Sequence, residues 1–296
     1  MSAVSVGEEA AASRFPAAPG PDRTGPWLGA ARAACAVALA LAVGFGIFIG
    51  ALSSLPQGRA QAGLERRFAS ELAVGAAPVN QPVASGAPVA LLEIPAIGVR
   101  QVVVEGTRPA QLTNGPGHLP VSALPGQEGV GIVFGRRTAY GGPFADLGRL
   151  GRGAEIRSTT GQGTVRYRVV RVRTASAADG NALTAAGNAL LLVTSDPVGR
   201  ATRRLIVEAR PVGTVEAAGR PATTGVTAAD LGLSGDTGAL PALLVALELL
   251  VLVIAAVLLV RRRLGGTVAW LLGLPLLLAG TWLVFEQAAL LLPATL

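Results

Sequence analysis

The sequence LLLVTSDP, from Leu190 to Pro197, reads as a buried β-strand that runs into a polar turn. Four apolar residues come first, and Thr194, Ser195 and Asp196 follow before the proline. A short apolar run that is bounded by turn residues is typical of a strand buried on both faces. We therefore expect this strand to lie in the core and to carry polar side chains at its carboxyl end.

Similar β-rich runs lie on both sides of this strand. They recur about every 10 residues and are separated by Gly and Pro, which is typical of a β-barrel or a sandwich. In VRYRVVRVR (residues 165–173), apolar residues alternate with arginines, and the phase changes between Val169 and Val170, which predicts a β-bulge. Residues 90–212 are long enough for a complete core. We predict that they form one mainly β domain.

Three blocks outside this domain are long and apolar enough to span a bilayer as helices. They are residues 27–55, 240–260 and 267–292. A cleaved signal peptide is the alternative for the first block, because RAQA, ending at Ala62, resembles a cleavage site. We favour an uncleaved anchor, since the apolar run is longer than the core of a signal peptide.

Positive charge predicts the orientation of these three helices. Arginines precede the first helix, and RRR fills the predicted cytoplasmic loop, residues 261–266. Arg59, Arg66 and Arg67 lie just beyond the first helix and argue mildly for the reverse orientation. We predict a multi-pass protein of the cell membrane with its N-terminus in the cytoplasm, and with residues 56–239 and the C-terminus outside.

The remaining segments are predicted to be a tail and two linkers. Residues 1–26 are rich in Ala, Pro and Gly and predict a disordered cytoplasmic tail. Residues 56–89 are predicted to be a short helix and a linker, because apolar residues recur at helical spacing between residues 61 and 72. Residues 213–239 are polar and rich in Gly and Thr, which predicts a second linker.

The composition excludes several kinds of site. The single cysteine, Cys35, lies in the first apolar block, which excludes a disulfide within the chain and metal clusters built on cysteine. One histidine, His118, is too few for an ordinary His-based zinc site. We expect neither a metal nor a cofactor. All 25 basic residues are arginines, which together with abundant Ala, Gly and Val indicates a GC-rich genome.

Five motifs occur in the order and spacing of sortases. They are LEIPAIGV (92–99), VVEGT (103–107), NGPGHLPVSALPGQEG (114–129), GRRTAYGGPFADL (135–147) and RRLIVEA (203–209). The domain therefore resembles the class E-like sortases of actinobacteria. This resemblance implies an eight-stranded β-barrel with a groove that receives a C-terminal sorting peptide.

The resemblance also implies a site of three residues. Sortases are similar in using a His as acid and base, a Cys as nucleophile and an Arg that stabilises the oxyanion. The matching positions here are Arg136, Ser195 and Arg204, so only the arginine is retained. His118 lies in the GPGH motif that sortases carry in addition, and no catalytic role passes to it. The candidate binding residues beside these positions are Thr194, Asp196, Arg137 and Arg203.

The two replacements remove the expected chemistry. A serine hydroxyl is a weak nucleophile until a base takes its proton. Arginine is not such a base, because its pKa exceeds 12 and its guanidinium offers no acceptor. Asp196 is adjacent to Ser195, but neighbouring residues of a strand point to opposite faces. We expect Arg136 and Arg204 to hold Asp196 as an ion pair.

Three functional hypotheses follow. The first is a membrane-anchored, catalytically inactive pseudo-sortase that binds sorting-signal-like peptides or an anionic wall polymer, or that assists an active sortase in attaching proteins to the cell surface. The alternative is an active, cysteine-independent hydrolase or transpeptidase with Ser195 as nucleophile and Arg204 as oxyanion stabiliser. The third is a tethered β-domain that binds anionic surfaces, because residues 90–212 carry 15 arginines and 8 acidic residues. Nucleic acid is not expected as a partner, because the domain faces outward and lacks an aromatic surface.

A purely structural role is the alternative for two of the candidate binding residues. Surface arginines commonly form weak ion pairs with nearby carboxylates. In this interpretation, Arg137 and Arg203 point to solvent or pair with acidic residues such as Asp146, Asp196 or Glu208.

Overall fold

The chain divides into two compact units, residues 1–44 and 45–296. A computed structural model describes residues 26–79, 83–177, 179–199, 201–217, 228–232 and 234–296. The predicted disordered tail and residues 218–227 of the second predicted linker lie outside these ranges, apart from residue 26.

Three of the described helical segments are long and apolar enough to cross a membrane, by length and composition. They are Leu28–Ala73, Thr237–Leu264 and Gly266–Leu290. These segments coincide with the three predicted blocks, although the first continues further than predicted. The helices are α1 (Pro26–Ile47), which passes through a π-helical turn (Phe48–Leu52), α2 (Ser54–Ala73), α3 (Pro109–Leu112), α4 (Leu240–Leu264) and α5 (Gly266–Leu290).

Eight strands close into a barrel in the order β1-β2-β3-β4-β7-β8-β6-β5, as predicted. The pairs β2·β3 and β4·β7 are parallel, and the other pairs are antiparallel. The strands are β1 (Pro88–Ile94), β2 (Val99–Glu105), β3 (Gly117–His118), β4 (Val130–Phe134), β5 (Glu155–Thr160), β6 (Gly163–Ser176), β7 (Ala189–Asp196) and β8 (Arg203–Val212).

Strand β7 is buried on both faces, as its apolar run predicted. Leu190 and Leu192 join the main core cluster of the barrel, which also holds Val207 of β8. Leu191 and Val193 point the other way, into a second cluster. Because side chains alternate along a strand, the residues that follow Val193 divide between these two faces, and this alternation places the candidate site.

The predicted β-bulge in β6 is confirmed. Val169 pairs with Ala209, and Arg171 pairs with the next residue of β8, Glu208. Val170 is therefore the extra residue, as the change of phase indicated. The bulge keeps apolar side chains of both halves of β6 directed at the barrel.

Helix α2 packs its predicted apolar face against the barrel. Leu64, Phe68 and Leu72 contact Val102 and its neighbours in one cluster. The helix begins at Ser54 rather than near residue 61, because the chain passes from the π-helical turn into α2 with a single residue between them. In its amino-terminal half, Gln57 and Gln61 form hydrogen bonds to Gln101 and Val102 of β2.

Helices α4 and α5 form a hairpin with almost no loop. The three arginines predicted to lie in a loop occupy the last turn of α4, and only Gly265 separates the two helices. Cations in the last turn of a helix interact favourably with its dipole, so the helix continues through them. Gly265 has φ of +94°, a conformation that favours glycine, and ends the helix there.

Burial of Tyr167 makes the stability of the barrel depend on alkaline pH. Desolvation raises the pKa of Tyr167 to about 12, although a hydrogen bond from the Gly126 amide at 2.7 Å lowers it in part. The unfolded chain therefore loses this proton first, and the contribution of Tyr167 to the free energy of unfolding is lost as pH rises from about 10 to 12. Chemical denaturation in detergent micelles should show that the free energy of unfolding falls by about 2–3 kcal/mol more in wild type than in Tyr167→Phe over this window. Identical pH slopes would contradict the assignment.

Candidate functional site

The three predicted catalytic positions lie at the ends of three adjacent strands. In the parallel pair β4·β7, Phe134 is the partner of Val193, so Arg136 and Ser195 follow at the same level. In the antiparallel pair β7·β8, Ser195 is directly opposite Arg204. By strand alternation, all three residues belong to the face of Phe134 and Val193, outside the barrel interior.

Arg136 is fully buried at the position of the expected histidine. Its Nε donates to the Leu112 carbonyl and its Nη2 to the Pro109 carbonyl, both at 3.2 Å. Its guanidinium carbon lies 4.8 Å from the centre of the Tyr140 ring, a cation–π contact. Nη1 has no hydrogen-bond partner among the described residues. Desolvation lowers the pKa of Arg136 to about 10, so the side chain is a cation at neutral pH.

Tyr140 covers this buried cation and is itself held by Ser53, between the π-helical turn and α2. Its backbone has φ of +52°, and its amide donates to Ser53 Oγ at 2.8 Å. Desolvation raises the pKa of the phenol, and nearby Arg136 partly opposes this. A cavity of about 230 Å³ lies beside Tyr140 and is lined by Pro56, Thr113, Asn114, Glu286, Gln287 and Leu290.

Ser195 is fully buried and its hydroxyl donates a hydrogen bond to a carbonyl. Oγ lies 2.9 Å from the carbonyl oxygen of Thr295, in the segment that follows α5. The backbone carbonyl of Ser195 accepts from Arg137 Nη1 at 2.7 Å. Among the described residues, no His, Asp or Glu side chain bonds to Oγ. The hydroxyl is therefore arranged to hold a carbonyl rather than to lose its proton.

Arg204 is buried opposite Ser195, with 2% of its surface exposed. Its Nη1 donates to the Asp179 carbonyl at 3.5 Å, a weak hydrogen bond, and its Nε has no partner in the described part of the chain. Desolvation lowers its pKa, and the charge of Asp179 partly offsets this. Arg204 thus retains hydrogen-bonding capacity at the site.

Asp196 does not pair with Arg136 and Arg204, so the predicted ion pair is wrong. Its Oδ1 lies 3.0 Å from Arg137 Nη1, and its Oδ2 lies 2.8 Å from Arg203 Nη2. Asp196 and Arg203 are directly opposite each other in β7·β8, on the face that Ser195 and Arg204 do not share. Arg137 and Arg203 therefore pair with a nearby carboxylate, as the purely structural interpretation of these two residues expected.

Thr194 does not join the cluster around Ser195. It points to the barrel side of β7, and its Oγ1 donates to the Gly135 carbonyl at 2.8 Å. The hydroxyl thereby fixes the end of β4 against β7. Its contribution to the site is to position the chain that leads into Arg136.

His118 is buried with both ring nitrogens paired. Nδ1 lies 2.8 Å from Glu105 Oε2, and Nε2 lies 3.0 Å from the Ala123 carbonyl and from Ser122 Oγ. These contacts tie β3 to β2 and to the loop that follows β3.

Sequence reasoning missed Tyr140 and Thr295. Tyr140 lies four residues after Arg136 in the same motif, a local signal that could have been used. Thr295 lies one hundred residues from Ser195, and no local pattern connects the two. Within the described residues, no three His, Cys, Asp or Glu side chains come together as metal ligands.

Comparison with known proteins gives one family. A family model described as the sortase domain matches residues 92–212. Sortase D of Bacillus subtilis (strain 168) is 30% identical over 127 residues, which are 41% of this chain and 63% of that protein. The match thus spans less than two thirds of that curated relative.

Solved structures of sortases also match. A Clostridium perfringens sortase D5 transpeptidase is 25% identical, with a TM-score of 0.45, and the match covers 53% of this chain and 98% of that chain. Sortase E of Streptomyces avermitilis is 29% identical, with a TM-score of 0.41, and the match covers 50% of this chain and 99% of that chain.

Proposed function

We propose that the sortase domain at residues 92–212 holds a peptide beside the membrane without cutting it. In this proposal, Ser195 and Arg204 bind peptide carbonyls, and Arg136 shapes the groove. The chain is a pseudo-sortase of the cell surface, and an active sortase is a candidate partner. The alternative enzyme, with Ser195 as nucleophile, needs a proton acceptor.

The burial of Arg136 carries this proposal. With a pKa of about 10, about one molecule in a thousand has a neutral Arg136 at pH 7. Both hydrogen bonds of its guanidinium are donated to the backbone, and neither is directed at Ser195. General acid–base help is typically worth about 10²–10⁴-fold in rate, and no described group bonded to Ser195 provides it.

The charges at the site favour a peptide over an anionic polymer. Arg137 and Arg203 are already paired with Asp196, so the outer part of the site is largely neutralised. Arg136 and Arg204 are buried, and each has one unpartnered nitrogen among the described residues. Buried donors of this kind suit the carbonyl of a chain that lies in the groove better than phosphates of a solvated polymer.

The helical hairpin supports a location outside the cell. Residues 291–296 follow α5 and bond to the barrel, so the barrel lies at the end of the hairpin where α4 begins and α5 ends. Arg261–Arg263 lie at the opposite end. Because positive residues favour the cytoplasmic side, this arrangement supports a cytoplasmic turn and an extracellular barrel.

The chain of residues 1–296 in detergent micelles is expected to leave a library of sorting-signal peptides uncut. Ser195→Ala should give the same background, because the wild-type hydroxyl has no base. Both are tested again as chains that end at Leu290, which removes the segment that covers Ser195. Product is measured by mass spectrometry, with an active sortase as positive control. Turnover by the wild-type chain that Ser195→Ala abolishes would establish the alternative enzyme.

A further inference from the structure

The segment after α5, residues 291–296, occupies the site through its carbonyl groups. The Thr295 carbonyl accepts hydrogen bonds from Ser195 Oγ at 2.9 Å and from the Arg137 amide at 3.1 Å. The backbone oxygen of Leu296 lies 3.3 Å from the amides of Thr138 and Ala139. The backbone oxygens of two consecutive residues are thus held by the nucleophile position and by the loop that follows β4.

The opposite edge of this segment is also bonded. The amide of Thr295 donates to the Gly232 carbonyl at 3.0 Å, and its Oγ1 donates to the same oxygen at 2.8 Å. The Ala294 amide donates to the Ser234 carbonyl at 3.3 Å. The segment is therefore hydrogen-bonded on both sides, and it folds as a turn in which the Leu296 amide donates to the Pro293 carbonyl at 3.0 Å.

The side chains of the segment fit closely. Ala294 is fully buried in the cluster that contains Phe134 and Val193. Thr295 is 1% exposed, and a Cβ at Gly232 would lie 2.8 Å from its Cγ2. Gly232 has φ of +71°, where glycine is favoured. A larger residue at position 232 would not fit without movement of the neighbouring atoms.

These contacts assign the groove an occupant from the same chain: we propose that residues 291–296 are a built-in peptide ligand that closes the site. The inference rests on the proposed function, because it names the peptide that the groove holds. The ligand class is a short peptide with a small residue followed by threonine. Ser195 acts on it as a hydrogen-bond donor to a carbonyl.

The covalent connection raises the effective affinity of the segment for the site. Only a few residues separate Leu290 at the end of α5 from the site, and a short tether gives a local concentration in the millimolar range. A free peptide of the same chemistry must therefore displace the segment before it binds. The groove is open only in the fraction of molecules whose segment has left.

Thiol labelling of the full-length chain tests this occupancy directly. In a Cys35→Ser background, Ala294→Cys should react with a maleimide dye at least about tenfold more slowly than Ala69→Cys on the exposed face of α2, because a buried thiol reacts only after local opening. Adding Ser195→Ala should speed labelling at position 294 about fivefold, the effect of losing one hydrogen bond. Labelling at position 69 should not change.

Equal labelling rates at positions 294 and 69 in the native chain would overturn the inference. Both thiols must label equally after denaturation in dodecyl sulfate, which shows that intrinsic reactivity is matched. The assay contains no substrate, so it is independent of turnover. Cleavage of peptides by the wild-type chain would overturn the proposed function and leave the protection of position 294 as measured.

Discussion

The double variant Arg136→His, Ser195→Cys is expected to cleave sorting-signal peptides at least about 100-fold faster than either single variant. A thiol is a few per cent ionised at neutral pH, and a histidine at position 136 adds an acid and base worth about 10²–10⁴-fold. Strand register places both positions on the face that holds Arg204. The rate is measured by mass spectrometry on chains that end at Leu290.

Two controls make this result specific. Arg204→Ala in the double variant should remove most of the gained activity, because a donor at an oxyanion is worth about 10²–10³-fold. Thermal melts must show that each variant is folded, since Arg136 makes two backbone hydrogen bonds and the Tyr140 contact. A folded double variant that stays silent would mean that the groove does not present a peptide carbonyl to position 195.

Glu105→Leu is expected to give the largest loss of stability. Glu105 and His118 are 3% and 2% exposed and lie 2.8 Å apart. Removing Glu105 leaves Nδ1 of His118 without its partner, and an unsatisfied buried polar group typically costs about 1–3 kcal/mol. A thermal melt in micelles should therefore show a midpoint lower by roughly 2–12 °C.

Glu155→Leu is the matched control for this substitution. Glu155 pairs with Arg157 at 2.6 Å on β5, but both side chains are more than 40% exposed. Exposed ion pairs contribute little to the free energy of unfolding. The midpoint of the thermal melt should therefore stay within experimental error of wild type. An equal drop for both variants would show that the loss comes from leucine itself, and the structural role of the Glu105–His118 pair would be wrong.

The strand pattern alone predicted much of the barrel, because alternation and phase are local properties. The bulge at Val170 follows from one change of phase in β6. Alternation also puts Asp196 on the opposite face from Ser195. Its pairing with Arg203 depends on the register between β7 and β8, which is not visible in either strand alone. The charge of Arg261–Arg263 predicted a loop, but α4 continues through these three residues.

The site could be predicted only by position. The resemblance located Arg136, Ser195 and Arg204, and the structure places them on one face. The resemblance could not predict that Tyr140 covers Arg136, or that Thr295 reaches Ser195. Ser195 and Thr295 are one hundred positions apart, and their contact depends on how α4 and α5 return the chain to the barrel. No local sequence pattern indicates that path.

The short connection between α5 and the barrel limits the distance between the end of α5 and Ser195. Thr295 lies five residues after Leu290, and an extended chain spans at most about 3.6 Å per residue. If α5 ends at the surface of the bilayer, Ser195 therefore lies within about 20 Å of that surface. A polypeptide that emerges from the same leaflet is therefore within reach of the groove.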